Sequence, residues 1–153
     1  MKTITPRFQL LFDKLKLAEQ VYEMAAAKVH NDPMTEQFST LAAQKRESIN
    51  SIAELLDLEY ADHRLRLADR IRLEFEKAEI QFNHIFLRRN EGELMDICLK
   101  REEELIQVYE HIVHSGTQEV YMRSLLHSQL SDTKRQYAEL EELSEAYHFA
   151  DAS

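Results

Sequence analysis

Glu102 is the residue whose position most requires a chemical explanation. It falls on a helical stripe of apolar residues that recur at spacings of three and four, namely Met95, Cys98, Leu105, Tyr109 and Ile112. A carboxylate in such a stripe is stable only when it is paired, protonated or bound to a metal, because burying it ionised and alone is costly. The chemistry of the chain therefore depends on which of these three conditions holds for Glu102.

An ion pair is the first explanation. Lys45 also falls on an apolar stripe, near the middle of a different predicted helix, and Gln129 and Thr133 supply polar groups at a similar height on a third. We predict a buried polar layer of Lys45, Glu102, Gln129 and Thr133 that needs no metal. Such a layer fixes helix register and order more than it adds stability, because desolvation offsets much of the attraction. In the alternative arrangement, one charged side chain extends to solvent.

A metal centre is the competing explanation. Di-iron carboxylate bundles use a Glu from each of two helices and a Glu-x-x-His from each of two others. The carboxylates that could contribute here are Glu19, Glu23, Glu47 and Glu102. However, Asn50 stands where His would follow Glu47, and Arg135 would place a cation where the last helix needs a ligand. The one true Glu-x-x-His, ending at His148, lies at the end of the chain. We therefore favour no cofactor, with iron as the alternative.

The elements that would position these residues are five long helices. With two Gly, two Pro, no Trp and 31% charged residues, the composition is typical of a helical domain. Apolar spacing predicts one domain over residues 1–153, with α1 at about 6–29, α2 at 33–57, α3 at 62–88, α4 at 91–114 and α5 at 118–147. Pro33, Gly92 and the pair Ser115-Gly116 mark three of the breaks between these helices.

Short connections between such long helices must reverse the chain at each step, so α2 and α4 run parallel, with α3 returning between them. This order predicts an all-α, ferritin-like antiparallel bundle. In it, α1, α2, α4 and α5 form the four-helix core, and α3 is the crossover that lies along that core.

Two helices carry a second apolar stripe. The residues, seven apart in each helix, are Leu10, Leu17 and Met24 in α1 and Leu73, Ile80 and Leu87 in α3. The stripes either pack α3 against the bundle or form an oligomer contact. Leu73, Ile80 and Leu87 are the better interface candidates because they point away from the main stripe of α3.

Several functions are disfavoured by composition. A net charge of −9 argues against a nucleic-acid partner, and the single cysteine, Cys98, is interpreted as a small core residue. No apolar run approaches the roughly 18 residues of a membrane span, and the N-terminus is a poor signal peptide. His111 and His114 fit the last turn of α4, where cationic side chains are favourable. We expect a soluble cytoplasmic protein.

Three short motifs resemble a bacterial family of ferritin-like bundles of unknown function. They are Phe38-x-x-Leu41-Ala42-x-Gln44-Lys45-Arg46, Tyr22-x-x-Ala25-Ala26, and Cys98-x-x-x-Glu102-Glu103 followed by Tyr109. The resemblance covers about residues 8–147 and implies the ferritin-like fold without an assigned activity. The chain departs from this family in α5, where Tyr137 stands at the place of the usual His.

These observations favour a non-enzymatic bundle that acts as a structural or protein-interaction module, either as a homo-oligomer or with another protein. The alternative is a degenerate di-iron protein that binds metal or acts as an oxidoreductase. A third interpretation is a helical regulator that binds a different protein through Leu73, Ile80 and Leu87. The sequence does not identify the partner.

Overall fold

The computed structural model describes residues 6–29, 32–56, 60–88, 91–116 and 118–152, and this part of the chain is all-α. Its five helices are α1 (Pro6–Lys28), α2 (Asp32–Leu55), α3 (Tyr60–Arg88), α4 (Glu91–Ser115) and α5 (Val120–Ala152). The predicted bounds lie within two residues of these except at the end of α5, which continues to Ala152 rather than ending at 147.

Four of the helices form a closed ring. In this ring α1 packs on α2, α2 on α5, α5 on α4 and α4 on α1, while α3 lies outside against α1 and α4. Helices α4 and α5 run antiparallel, as two contacts between them show: Asp96 meets Ser144, whereas the later Tyr109 meets the earlier Gln129. The helix between α2 and α4 therefore adds a layer to a four-helix bundle.

Helix α1 is buried on more than one side because α2, α3 and α4 all pack against it. Leu11, Leu15 and Tyr22 face the centre of the ring, as their spacing predicts. In its second stripe, Leu17 and Met24 are also buried, but Leu10 is exposed. The packing interpretation therefore holds for two of these three residues, and each buried leucine contributes about 1.5–3 kcal/mol to stability.

Helix α5 does not bury a single strict three-four stripe along its whole length. A strict three-four repeat places Leu125, Leu143 and Tyr147 in the core, but these residues are only half-buried. Leu126 and Ser144 are buried instead. The reason is that a straight α-helix drifts by about 20° per seven residues relative to that repeat, so the buried face moves around a helix of 33 residues.

The end of α4 is fixed by local chemistry. Gly116 has φ of +68°, the left-handed conformation that terminates helices and that only glycine adopts without strain. The free carbonyl of Ile112 accepts hydrogen bonds from Ser115 Oγ at 2.7 Å and from Gln118 Nε2 at 2.5 Å.

None of the helices in the described part of the chain combines the length and the apolar character that a membrane span requires.

Candidate functional site

The centre of the bundle holds a buried ion pair between α2 and α4. Lys45 is 1% exposed and Glu102 is 0% exposed. Lys45 Nζ donates to Glu102 Oε2 at 2.9 Å, and from α1 the Tyr22 hydroxyl donates to Glu102 Oε1 at 2.6 Å. We call these three residues the ion-pair cluster. Each carboxylate oxygen of Glu102 has its own donor, so the charge is satisfied entirely by side chains of this chain.

Tyr22 is suited to this contact because it remains protonated. Burial raises the pKa of its hydroxyl well above the usual value, and the nearby charge of Glu102 raises that pKa further. The hydroxyl therefore keeps its proton and donates a hydrogen bond to the carboxylate. A separation of 2.6 Å is typical of a charge-assisted O–H···O⁻ bond, which is stronger than a neutral one.

A second group of polar side chains, the amide cluster, joins α2, α4 and α5. Tyr109 Oη donates to Gln129 Oε1 at 2.8 Å, and Gln129 Nε2 donates to the carbonyl of Ser48 at 3.3 Å. Gln129 thus connects all three helices through neutral hydrogen bonds. Burial raises the pKa of Tyr109 above its usual range, so this hydroxyl is also a donor at neutral pH.

The structure brings Lys45 and Glu102 together but differs from the predicted layer in how the pair is completed. Gln129 and Thr133 are buried as expected. However, Gln129 bonds Tyr109, and the Thr133 hydroxyl donates to the Gln129 carbonyl of its own helix at 2.7 Å. Tyr22 of α1, which is not among the four predicted members of the layer, is the second donor to Glu102. The available signal was that a buried tyrosine hydroxyl needs a polar partner.

The four carboxylates proposed as alternative metal ligands do not converge. Glu19 lies at the edge between α1 and α2, where it accepts from Lys16 Nζ at 3.1 Å and from Arg46 Nε at 3.3 Å. Arg46 also donates to Glu23, and Glu47 is exposed. Glu19 and Glu23 therefore share Arg46 at this edge, whereas Glu102 is bonded to Lys45 and Tyr22 at the centre. Among the described residues, no group of three or more His, Cys, Asp or Glu could hold a metal ion.

Ser144, Asp96 and His148 are the residue types of a hydrolytic triad, but their order is wrong for one. Asp96 Oδ1 accepts from Ser144 Oγ at 3.2 Å, and both Asp96 oxygens lie 3.0 Å from His148 Nε2. The carboxylate thus lies between the hydroxyl and the imidazole. Nucleophilic catalysis requires the imidazole in the middle, where it can take the serine proton. This group joins α4 to α5 at the surface.

The predicted interface residues occupy the outer face of α3. Leu73, Ile80 and Leu87 are 62%, 60% and 83% exposed. The opposite face of the helix is buried against the bundle and contains Ile71, Ala78, Phe82 and Ile85. We call Leu73, Ile80 and Leu87 the outer stripe. Within the described chain, no other segment covers this stripe.

Comparisons with known proteins assign this chain to no family. No protein-family model, curated protein or solved structure matches this chain. The function must therefore be argued from the ion-pair cluster and the outer stripe.

Proposed function

We propose that this chain is a non-enzymatic, ferritin-like helical bundle that acts as a self-associating structural module through the outer stripe. The closed ring of α1, α2, α4 and α5, with α3 outside it, supports the ferritin-like comparison because it is the order in which a helical crossover joins two parallel core helices. Iron bound at Glu102 would have to displace the ion pair with Lys45.

The exposure of the outer stripe is the observation that carries the proposal. Three large aliphatic side chains line one face of α3 at successive seven-residue intervals. Leaving apolar surface in water forgoes about 25 cal/mol for each Å² that a partner could cover. Large aliphatic side chains exposed in line on one helix face favour a protein–protein contact.

A second copy of this chain is the partner that the stripe fits. Leu73 and Leu87 are each seven residues from Ile80, so the stripe matches an antiparallel copy of itself. Ile80 would then contact Ile80 of the second copy, and Leu73 would contact Leu87. One patch thereby serves both subunits, as the two-fold symmetry of most homodimers requires. Glu76 and Lys77 flank the stripe with one charge of each sign, so its net charge does not oppose the contact.

The centre of the bundle supports a non-enzymatic role. Glu102, the buried carboxylate, is neutralised by Lys45 and Tyr22. Glu19, the next most buried of the four acids, is paired with Lys16 and Arg46. An enzyme of the di-iron class requires carboxylates that are free to bind metal and to change coordination, whereas these are fixed in hydrogen bonds.

The mass of the protein in solution tests the self-association. We expect the full chain to have twice its subunit mass of 18.1 kDa by size-exclusion chromatography with light scattering. The triple variant Leu73→Lys, Ile80→Lys and Leu87→Lys is expected to have the mass of one chain, because three charges cannot be buried at the contact. A wild-type protein that is already monomeric at micromolar concentration would contradict the proposal.

A matched control is available on α5, where Val120, Tyr121 and Phe149 are equally exposed apolar residues. Changing these three residues to lysine adds the same charge away from α3, so the dimer mass should be retained. Metal analysis of the same wild-type sample tests the other part of the proposal. We expect no stoichiometric metal, whereas roughly two iron ions per chain, the content of a di-iron centre, would contradict a non-enzymatic core.

A further inference from the structure

A cavity opens at the end of the bundle where α1 and α5 begin and α2 and α4 end. It has a volume of about 600 Å³, within the range of small-molecule sites. Its apolar wall consists of Pro6, Phe8, Leu55, Leu56, Ile112 and Met122. Of these, Ile112 and Met122 are buried and Leu55 is exposed, so the wall leads from the core to the surface. This is the environment that an aliphatic chain prefers to water.

Arg7 connects this cavity to a polar hollow beside it. The hollow, about 440 Å³, is lined by Arg7, Gln107, Glu110, His111, His114 and Ser115. Arg7 and Ser115 line both spaces, so the two spaces adjoin at these residues. Guanidinium, imidazole and amide groups are hydrogen-bond donors, and a guanidinium binds a carboxylate with two parallel hydrogen bonds.

The acids near these spaces do not cancel the charge of Arg7 in the hollow. Glu110 forms an ion pair with Lys134 at 3.1 Å. Glu119 lines the apolar cavity, not the polar hollow, and its Oε1 accepts a hydrogen bond from the Tyr121 backbone N–H at 3.3 Å. Among the described residues, Arg7 itself enters no ion pair. The hollow therefore combines an available guanidinium with further hydrogen-bond donors.

We infer that this end of the bundle binds an amphipathic carboxylate, with its aliphatic chain in the apolar cavity and its carboxylate at Arg7. The adjacent polar hollow supplies His111, His114 and Gln107 as further donors around the charged group. This site is separate from the outer stripe and from the ion-pair cluster.

Titration calorimetry of the full chain with three probes tests the inference. The probes are dodecanoate, kept below the concentration at which it forms micelles, decan-1-ol, which has a chain without a charge, and acetate, which has a charge without a chain. We expect saturable binding of one dodecanoate per chain, binding of decan-1-ol that is weaker by more than its two missing CH2 groups explain, and no binding of acetate. Absence of saturable dodecanoate binding would overturn the proposal.

Two variants locate the ligand. Arg7→Gln is expected to weaken dodecanoate binding about tenfold or more, the loss of a charge-assisted hydrogen bond, without changing the affinity for decan-1-ol. Leu55→Asp places a carboxylate in the apolar wall and is expected to weaken both ligands by at least a similar factor. Equal dodecanoate affinity in Arg7→Gln and wild type would overturn the assignment of the charged group.

Two control variants lie away from this cavity: Lys77→Gln removes an exposed cation of α3, and Phe149→Asp alters an exposed apolar residue near the end of α5. Both are expected to bind dodecanoate as the wild type does. If Phe149→Asp weakens binding as much as Leu55→Asp, the ligand is adsorbed on exposed apolar surface in general and the proposed site is wrong. Circular dichroism of each variant establishes that it is folded before titration.

Discussion

The centre of the bundle and the outer face of α3 reverse the usual distribution of side chains. Lys45 and Glu102, two charged residues, are almost completely buried, whereas Leu73, Ile80 and Leu87 face solvent. The buried charges have internal partners at hydrogen-bonding distance. The exposed leucines and isoleucine lack equivalent cover within the described chain. The interactions that this fold leaves incomplete therefore lie at its surface, which is why we place its function there.

The largest expected effect comes from removing one member of the buried pair. Lys45→Met keeps the approximate volume of the side chain but leaves Glu102 buried without its cation. We expect the free energy of unfolding to fall by about 3–5 kcal/mol. Urea unfolding followed by circular dichroism at pH 7 measures this change.

The control for this prediction is Lys14→Met. Lys14 pairs with Glu104 at 3.1 Å, but both side chains are partly exposed, at 31% and 40%. Breaking an exposed pair costs about 0–1 kcal/mol. Similar losses in Lys14→Met and Lys45→Met would show that burial does not distinguish the two pairs, and the contrast between centre and surface would fail.

The next effect separates the two polar clusters at the centre. Tyr22→Phe removes the hydroxyl that donates to the charged Glu102, so we expect a loss of about 1.5–3 kcal/mol. Tyr109→Phe removes a donor to the neutral Gln129 amide, for which about 0.5–1.5 kcal/mol is typical. Equal losses measured by urea unfolding would mean that the Tyr22 hydroxyl does not stabilise the charge of Glu102.

A pH dependence follows from Cys98, which is buried beside the ion-pair cluster. Burial is the main cause that raises the pKa of its thiol far above the usual value, and the charge of Glu102 adds to it. An unfolded thiol titrates near pH 8.5. Above that pH the unfolded chain releases a proton that the folded chain retains. The free energy of unfolding therefore falls by about 1.4 kcal/mol for each pH unit above 8.5.

Cys98→Ala tests this source of alkaline sensitivity. Stability of the variant, measured by urea unfolding with a reductant present, should be nearly constant from pH 8.5 to about 10, where an ordinary tyrosine begins to ionise. Beyond that point the raised pKa of Tyr22 produces a similar loss in both proteins. An unchanged slope in Cys98→Ala between pH 8.5 and 10 would assign the effect to another group.

The smallest effect is expected on the outer stripe. Ile80→Lys adds a charge to a position that is 60% exposed in the single chain. With Leu73→Lys and Leu87→Lys already present to keep the chain monomeric, we expect the further change Ile80→Lys to alter the free energy of unfolding by no more than about 0.5 kcal/mol. A loss of several kcal/mol would indicate that Ile80 is buried within its own chain, in contrast to the structure.

Periodicity along the chain predicts the helices and the burial of Lys45 and Glu102, because both follow from which positions share a helical face. It does not predict Tyr22 as the donor to Glu102, since that contact depends on how α1 and α4 are rotated about their axes. Burial of the Lys16–Glu19 pair was also missed. Both residues lie off the face of α1 that carries Leu11, Leu15 and Tyr22. They are buried nevertheless, because three helices pack around α1.

A double-mutant cycle on Lys45 and Glu102 tests the central claim most directly. Unfolding free energies are measured for the wild type, Lys45→Met, Glu102→Met and the double variant. If the two charges neutralise each other, the double variant is much less destabilised than the sum of the single variants, with a coupling energy of about 3 kcal/mol. Losses that add to within about 0.5 kcal/mol would contradict an internally neutralised centre.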